Sequence, residues 1–462
     1  MNLVPAGVPA VGGGIAWGDD GRIYFVSNAG SIQSVPAGGG TPTTVAAPIQ
    51  GSGGYMWLDA LPGGQALLLT IGKVGSPEVS EIAVLPTNGG PVRRLVKGTM
   101  ARYLTSGHLV YTTVDGTMMA VRFDPRRLEI AGSPAALFRG VDVYLASASQ
   151  FAVSRTGDLA WVGKEGISEI VRVDRSGAGG PIDPGWTGPI SFLALAPDGS
   201  RLVVNTADGD GAKLWIKQLD HGPLAPFSSD GTRNVGLSWS PDGAAIAVLS
   251  NRSGQGQLWL ARADGAKAAE PLPVSGSIYA AEWTADGNDI VAGRAAEGVG
   301  TELVLIRPGW DSTPRLLLKG PYLFQYPALS PDGRWLAYSS SEPGQDEVIV
   351  RPFPNVEGGK WQVSLAGGIE PEWAHSGREL FFRDGAGDLV VAEVTSGPAG
   401  VFRSGAPRRL FPAAVDVHRD GKHYAVTPDD RHLLLVRPVG GAESRLVMVG
   451  NFAEELTRKL PR

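Results

Sequence analysis

The sequence predicts an all-β chain, a propeller array of about ten four-stranded antiparallel blades. Three observations lead there. A tight-turn motif flanked by apolar runs returns along nearly the whole chain. Its spacing is that of one blade. The apolar runs last about 5–7 residues and end in Gly or Pro, too short for helices of about 10–12.

The turn is clearest in GLSWSPDGAAIAVLS, residues 236–250. Pro241 presets φ, Asp242 can bond the local backbone, and Gly243 accepts the positive φ of a tight hairpin. Counterparts of Gly243 are Gly21, Gly64, Gly107, Gly157, Gly199, Gly287, Gly333 and Gly377, with Asp430 in the tenth place. Spacings run from 42 (Gly157 to Gly199) to 53 (Gly377 to Asp430), against a blade period of about 40–45.

After each hairpin a third strand is expected, as in QLWLARADG (257–265), SEIAVLPTNGG (80–90) or DEVIVRPFP (346–354). A fourth often follows, as in PVRRLV (91–96), TPRLLL (313–318) or KWQVSL (360–365). Blades stacked around an axis bury both faces of their inner strands, and AAIAVLS and QALLLT are apolar throughout as that requires. The outer strand in TPRLLLKG carries charge and proline at its ends, which suits an edge.

Two long steps set the domain plan. Residues 116–140 and 387–413 have similar content and stand six hairpins apart. If hairpin 10 closes a six-bladed ring that begins at hairpin 5, hairpins 1 to 4 belong to an earlier, incomplete ring. The expected domains are therefore an N-terminal propeller of about four blades over 1–166 and a six-bladed one over 167–462; a single ten-bladed ring is the alternative. NLVPAGVPAVGGG resembles the third-strand segment SVPAGGGTP, so Met1 is expected to cut into a blade, with two blades missing before it. In the tail, Asn451 and Glu454 have capping-box spacing, which predicts a short helix after the last strand.

Composition narrows the function. Lys+Arg 41 against Asp+Glu 46 leaves a net charge of −5 with no run of like charge, so a nucleic-acid partner is not expected. The chain has no cysteine, which excludes disulfides, thiolate metal sites and cysteine nucleophiles. The 65 glycines and 35 prolines sit in turn-like clusters between apolar runs. No basic n-region with an apolar h-region opens the sequence, and no stretch reaches the roughly 18 apolar residues of a span. Neither export nor anchoring by this chain alone is expected.

Candidate chemistry thins out on inspection. His418-Arg419-Asp420 copies a kinase catalytic tripeptide, yet Ala425 stands where a metal-binding Asn is needed, and DFG, VAIK and a nucleotide-covering Gly-rich loop are absent. His418 and His423 with Asp416 and Asp420 invite a metal reading, but strand residues five apart point to opposite faces, and polar residues on the surface are expected instead. Asp208 and Asp210 with Gly211 lack the distal Glu and the glycine spacing of a calcium loop. GLSWS has Ser240 where the last glycine of G-x-S-x-G belongs, and Ser238 falls on an inner strand before the turn. GSGGYM and GAGGPI precede no helix, so they cradle no nucleotide. Trp17, Trp239, Trp283 and Trp373 recur just before the turns, where packing between blades is expected. No catalytic, cofactor-binding or metal-ligating residue is assigned, and the ligand-binding residues are unknown.

The pattern WSPDG…LWLARADG resembles the WD40-like repeats of TolB-type propellers over nearly the whole chain. More narrowly, GTMMAVRFDPRRLEIAGSPAALF with QFAVSRTGDLAWV, the string from Ser341 to Arg383, and the NFAEEL ending resemble the C-terminal propeller region of bacterial receptor-like serine/threonine kinases. That resemblance implies a non-catalytic, extracytoplasmic or periplasmic sensor binding protein, peptide or glycan, without cofactor and without the kinase. The alternatives are the gating propeller of a prolyl-oligopeptidase-type peptidase lacking its hydrolase, and a TolB-like periplasmic scaffold.

Overall fold

The structure is a computed structural model that describes residues 14–27, 30–49, 54–72, 80–141, 143, 149–154, 156–163, 167–208, 211–219, 222–228, 234–253, 256–296, 300–309, 313–396, 401–413, 421–439 and 445–460. It is built of ten antiparallel sheets, mostly four-stranded, and one short α-helix among the described residues. Each sheet carries one of the ten hairpins and takes that hairpin's number.

Two compact units divide the chain: Met1–Glu165 with Glu297–Gly300 and Glu443–Arg462, and Gly166–Ala296 with Thr301–Ala442. The first unit holds sheets 1 to 4 and the second holds sheets 5 to 10. In the second unit the inner strands Ile190–Leu195, Asn234–Trp239, Ile278–Trp283, Phe324–Leu329, Ile369–Trp373 and Tyr424–Val426 touch one another in sequence, and the last touches the first. Six separate sheets thus stand as blades around one axis.

The strands behind the inner ones form the core. Ala66–Gly72 and Trp335–Ser340 are buried at every position, so neighbours cover both faces of each sheet. Leu67 and Leu68 point to opposite faces and both are fully buried, each worth about 1.5–3 kcal/mol. Outer strands differ: Arg93–Lys97 has no buried residue, which matches its charge.

The turns follow the chemistry of their residues. Gly243 N–H closes the turn on the Ser240 carbonyl at 2.8 Å with φ +66°, and the Asp242 carboxylate accepts from Ser240 Oγ and from Ala244 N–H. Ser330 with Asp332, Thr284 with Asp286, and Thr427 with Asp429 repeat the pattern at 2.6 Å.

Three sequence expectations are corrected. The third strand does not follow its own hairpin at hairpins 4 and 10. Ser168–Asp174, next in sequence after hairpin 4, pairs with His432–Pro438 of hairpin 10 over seven residue pairs. Hairpin 4 takes Arg445–Val449 from the far end of the chain instead. Pairing early with late segments zips the ends of each unit together, which local sequence order does not reveal.

For the same reason the tail does not lie within a 167–462 domain. Arg445–Val449 and the helix Phe452–Lys459 belong to the first unit, where Phe452 and Leu456 are buried among Leu104, Val110 and Leu159. Nor does a capping box start that helix. Asn451 sits at φ 56° without a side-chain cap, its N–H donates to Asp158 Oδ1 at 3.0 Å, and Ala453 N–H donates to the Gly157 carbonyl at 2.9 Å. The segment NLVPAGVPAVGGG lies outside the described residues.

Candidate functional site

In five of the six blades of the second unit, all but the last, the inner strand carries an irregularity seven or eight residues before its turn glycine. Cross-strand register slips between Val235 and Ser238, Gln325 and Ala328, and Ile369 and Glu372. Gly236, Tyr326 and Glu370 take the left-handed conformation at these bulges, with φ 60°, 51° and 55°. A bulge twists the strand and re-aims the side chains beside it. Ser238, Glu282 and Glu372, each five residues before its turn glycine, are thereby equivalent on three blades.

These side chains meet Lys422, which precedes the inner strand of sheet 10. Lys422 Nζ donates to Glu372 Oε2. Ser238 Oγ donates to Glu282 Oε2 at 3.1 Å and accepts the Trp283 N–H at 3.3 Å. Burial raises the Glu282 carboxyl to about 6; the Lys422 ammonium pulls it down and the Glu372 carboxylate adds to the rise. Desolvation alone would lower the Lys422 pKa, but Glu372 and Glu282 outweigh it and hold the ammonium charged, above its ordinary value.

Beside this cluster is a small depression of about 30 Å³, partly open to solvent. Residues from the inner strands of sheets 6, 7 and 8 line it, and Gly421 and Lys422 complete it from sheet 10. Convergence of four of the six blades places it on the axis of the unit. Tyr279, Glu282, Gln325 and Lys422 bring its polar groups. Tyr279 O–H is engaged, donating to the Phe324 carbonyl at 2.8 Å. Gln325 is 2% exposed, and neither its Nε2 nor its Oε1 has a hydrogen-bond partner.

Behind the depression lies a second buried group. Glu370 accepts from the His423 N–H at 2.9 Å, from His423 Nδ1 at 2.8 Å and from Arg383 at 3.3 Å, and its carbonyl accepts from Tyr424 O–H at 2.7 Å. A carboxylate only accepts, so His423 Nδ1 carries the proton. Burial works to raise the Glu370 carboxyl, but His423 and Arg383 prevail and hold it below the ordinary carboxylate value. Glu370 and Arg383 are essentially inaccessible, which makes this a brace between sheets 9 and 10.

The residues weighed from sequence fall as follows. His423 belongs to that brace and points inward, not to the surface. His418, Arg419, Asp420, Asp416 and Asp210 lie outside the described residues. Among the described residues no cluster of three metal-type side chains occurs. Ser240 is taken by its turn, and Ser238 ties sheet 6 to sheet 7. The indole N–H groups of Trp239 and Trp373 donate to the Ala194 and Ala328 carbonyls of the preceding blade, at 3.0 and 3.1 Å. Trp283 holds the same position with its indole nitrogen unpaired, and Trp17, on the first described sheet, is 66% exposed. Gln325, Glu282, Glu372 and Lys422 were missed from the sequence. A faint signal exists: charged residues at fixed offsets before the turn glycine, on strands otherwise apolar.

Residues 187–351 match the family model described as the TolB beta propeller domain. The chain is similar to the uncharacterized peptidase YuxL of Bacillus subtilis, 25% identical over 33% of this chain and 30% of that protein. It is also similar to tricorn protease homolog 1 of Streptomyces coelicolor, 26% identical over 51% of this chain and 19% of the relative. The chain therefore matches less than a third of the length of either curated relative. Among solved structures it is similar to a putative TolB from Agrobacterium tumefaciens, at 18% identity and TM-score 0.45, covering 59% of this chain and 99% of that one. No described helix is long and apolar enough to cross a membrane.

Proposed function

We propose that the chain is a non-catalytic binding module whose six-bladed unit receives its ligand, protein, peptide or glycan, at the axial depression. One observation carries this reading: polar and charged side chains from four blades converge around a depression at the axis. Ser238 donates to Glu282 and accepts from Trp283, and Lys422 is paired with Glu372. Catalysis would need donors aimed at a developing charge as well as a base beside Ser238. The axial groups instead offer fixed charge around an open space, which suits recognition. The likeness of the Ser341–Arg383 string to receptor-kinase propellers supports an extracytoplasmic or periplasmic sensor role. The match to a TolB beta propeller domain is compatible with a periplasmic scaffold.

The second reading, a gating propeller working beside a hydrolase, is favoured by the peptidase names of two relatives. One experiment separates the two. The purified chain is incubated with peptide substrates and, in parallel, used to capture partners that are then labelled with a fluorophosphonate. A binding module gives no turnover and brings down no labelled protein. Turnover by the chain alone refutes the first reading, and a labelled serine hydrolase in the captured complex establishes the second.

A further inference from the structure

We propose that the axial depression is a site for a basic peptide segment, with Gln325 pairing to a peptide group of the ligand and Glu282 holding a lysine or arginine cation. The inference rests on the binding-module reading and adds the ligand class.

Burying a carboxamide without partners costs about 1–3 kcal/mol, so a side chain kept in that state calls for an occupant. The cross-strand neighbour of Gln325, Ser339, also has an unpaired hydroxyl, yet Gln325 does not take it and lines the depression instead. A carboxamide offers a donor and an acceptor side by side, and the complement of that pair is another amide, such as a peptide unit.

Glu282 supplies the charge. Lys422 is in contact with Glu372, and among the described residues no cation lies within ion-pair distance of Glu282. Two carboxylates thus face one ammonium at the axis. A cationic ligand completes the balance, whereas an anionic one would sit against an excess of like charge. A lysine or arginine flanked by peptide groups satisfies both residues.

The test uses the full chain and a capped tripeptide, acetyl-Gly-Lys-Gly-amide, followed by calorimetry and saturation-transfer NMR. Acetyl-Gly-Glu-Gly-amide and n-butylammonium serve as comparisons. Only the lysine peptide is expected to bind strongly. Gln325→Leu and Glu282→Gln should each weaken it about tenfold or more. Because the leucine removes an unpaired polar group, the melting temperature of Gln325→Leu should stay level or rise while affinity falls, a combination that a merely structural glutamine would not give. Equal binding of the glutamate peptide, equal binding of butylammonium, or no binding at millimolar concentration overturns the proposal. Unchanged affinity in both variants places the peptide elsewhere and leaves the binding-module reading standing. Cleavage of a peptide that both variants fail to bind upholds the site and overturns the non-catalytic reading.

Discussion

The carboxylate of Glu370 accepts both the main-chain N–H of His423, at 2.9 Å, and its ring Nδ1, at 2.8 Å, from a left-handed backbone position at φ 55°. A non-glycine residue held there costs about 1–2 kcal/mol, and the bonds that converge on the side chain offset that cost. The brace joins the last two blades of the six-bladed ring, where the chain must close on itself.

Glu370→Gln removes the carboxylate charge that faces buried Arg383 and His423 and is expected to destabilise the second unit by about 3–5 kcal/mol, read from urea unfolding. Acid should do the same to the wild type. A carboxyl held low in the folded state contributes stability above its ordinary value of 4.5, and that stability is lost as pH falls through the folded value. An unfolding profile of Glu370→Gln that shows the wild type's full acid dependence would contradict this.

Glu282 should behave in the opposite sense. Its folded pKa of about 6 lies above the ordinary 4.5, so the folded state holds the extra proton between those values. Stability is therefore highest below pH 4.5 for this group and falls as pH rises through 6, by up to about 2 kcal/mol. Glu282→Gln removes the effect, and the wild type should lose stability relative to the variant between pH 4.5 and 6. A stability difference independent of pH across that window would refute the assignment.

The tryptophans before the turns separate by environment. Trp239→Phe and Trp373→Phe each strand a carbonyl of the neighbouring blade and should cost about 1 kcal/mol or more in unfolding experiments. Trp17→Phe should change stability little, and acrylamide should quench Trp17 fluorescence while Trp239, 6% exposed, stays protected.

Asp430 replaces the turn glycine because its carboxylate accepts the N–H groups of His375 and Ser376 in the adjacent turn, at 2.7 and 2.9 Å. Asp430→Ala keeps the positive φ and loses both bonds, with an expected cost of about 1–2 kcal/mol. Asp430→Gly relieves the backbone and should cost less. The order of melting temperatures, wild type above glycine above alanine, checks the account.

Removal of residues 445–462 takes away the third strand of sheet 4 and the helix that buries Phe452 and Leu456. Hydrogen exchange should then rise over Leu159–Gly163 and leave Ser168–Asp174, held by His432–Pro438, protected. Loss of protection at both places together would show that the two units do not unfold separately.

Sequence alone determined the all-β repeat, the ten hairpins and most strand positions, because each turn is a local matter. Pro241, Asp242 and Gly243 set their own dihedrals, and a run such as Ala66–Gly72 declares by its apolarity that both faces are covered. Tertiary structure alone decided which hairpin owns Ser168–Asp174 and which owns Arg445–Val449, since both segments read equally well as the next strand along. It alone brought Glu282, Gln325, Glu372 and Lys422 to one axis, because ring closure sets inner strands side by side that lie scores of residues apart. Strand periodicity tells which face a side chain takes, and only the closed ring tells what stands opposite.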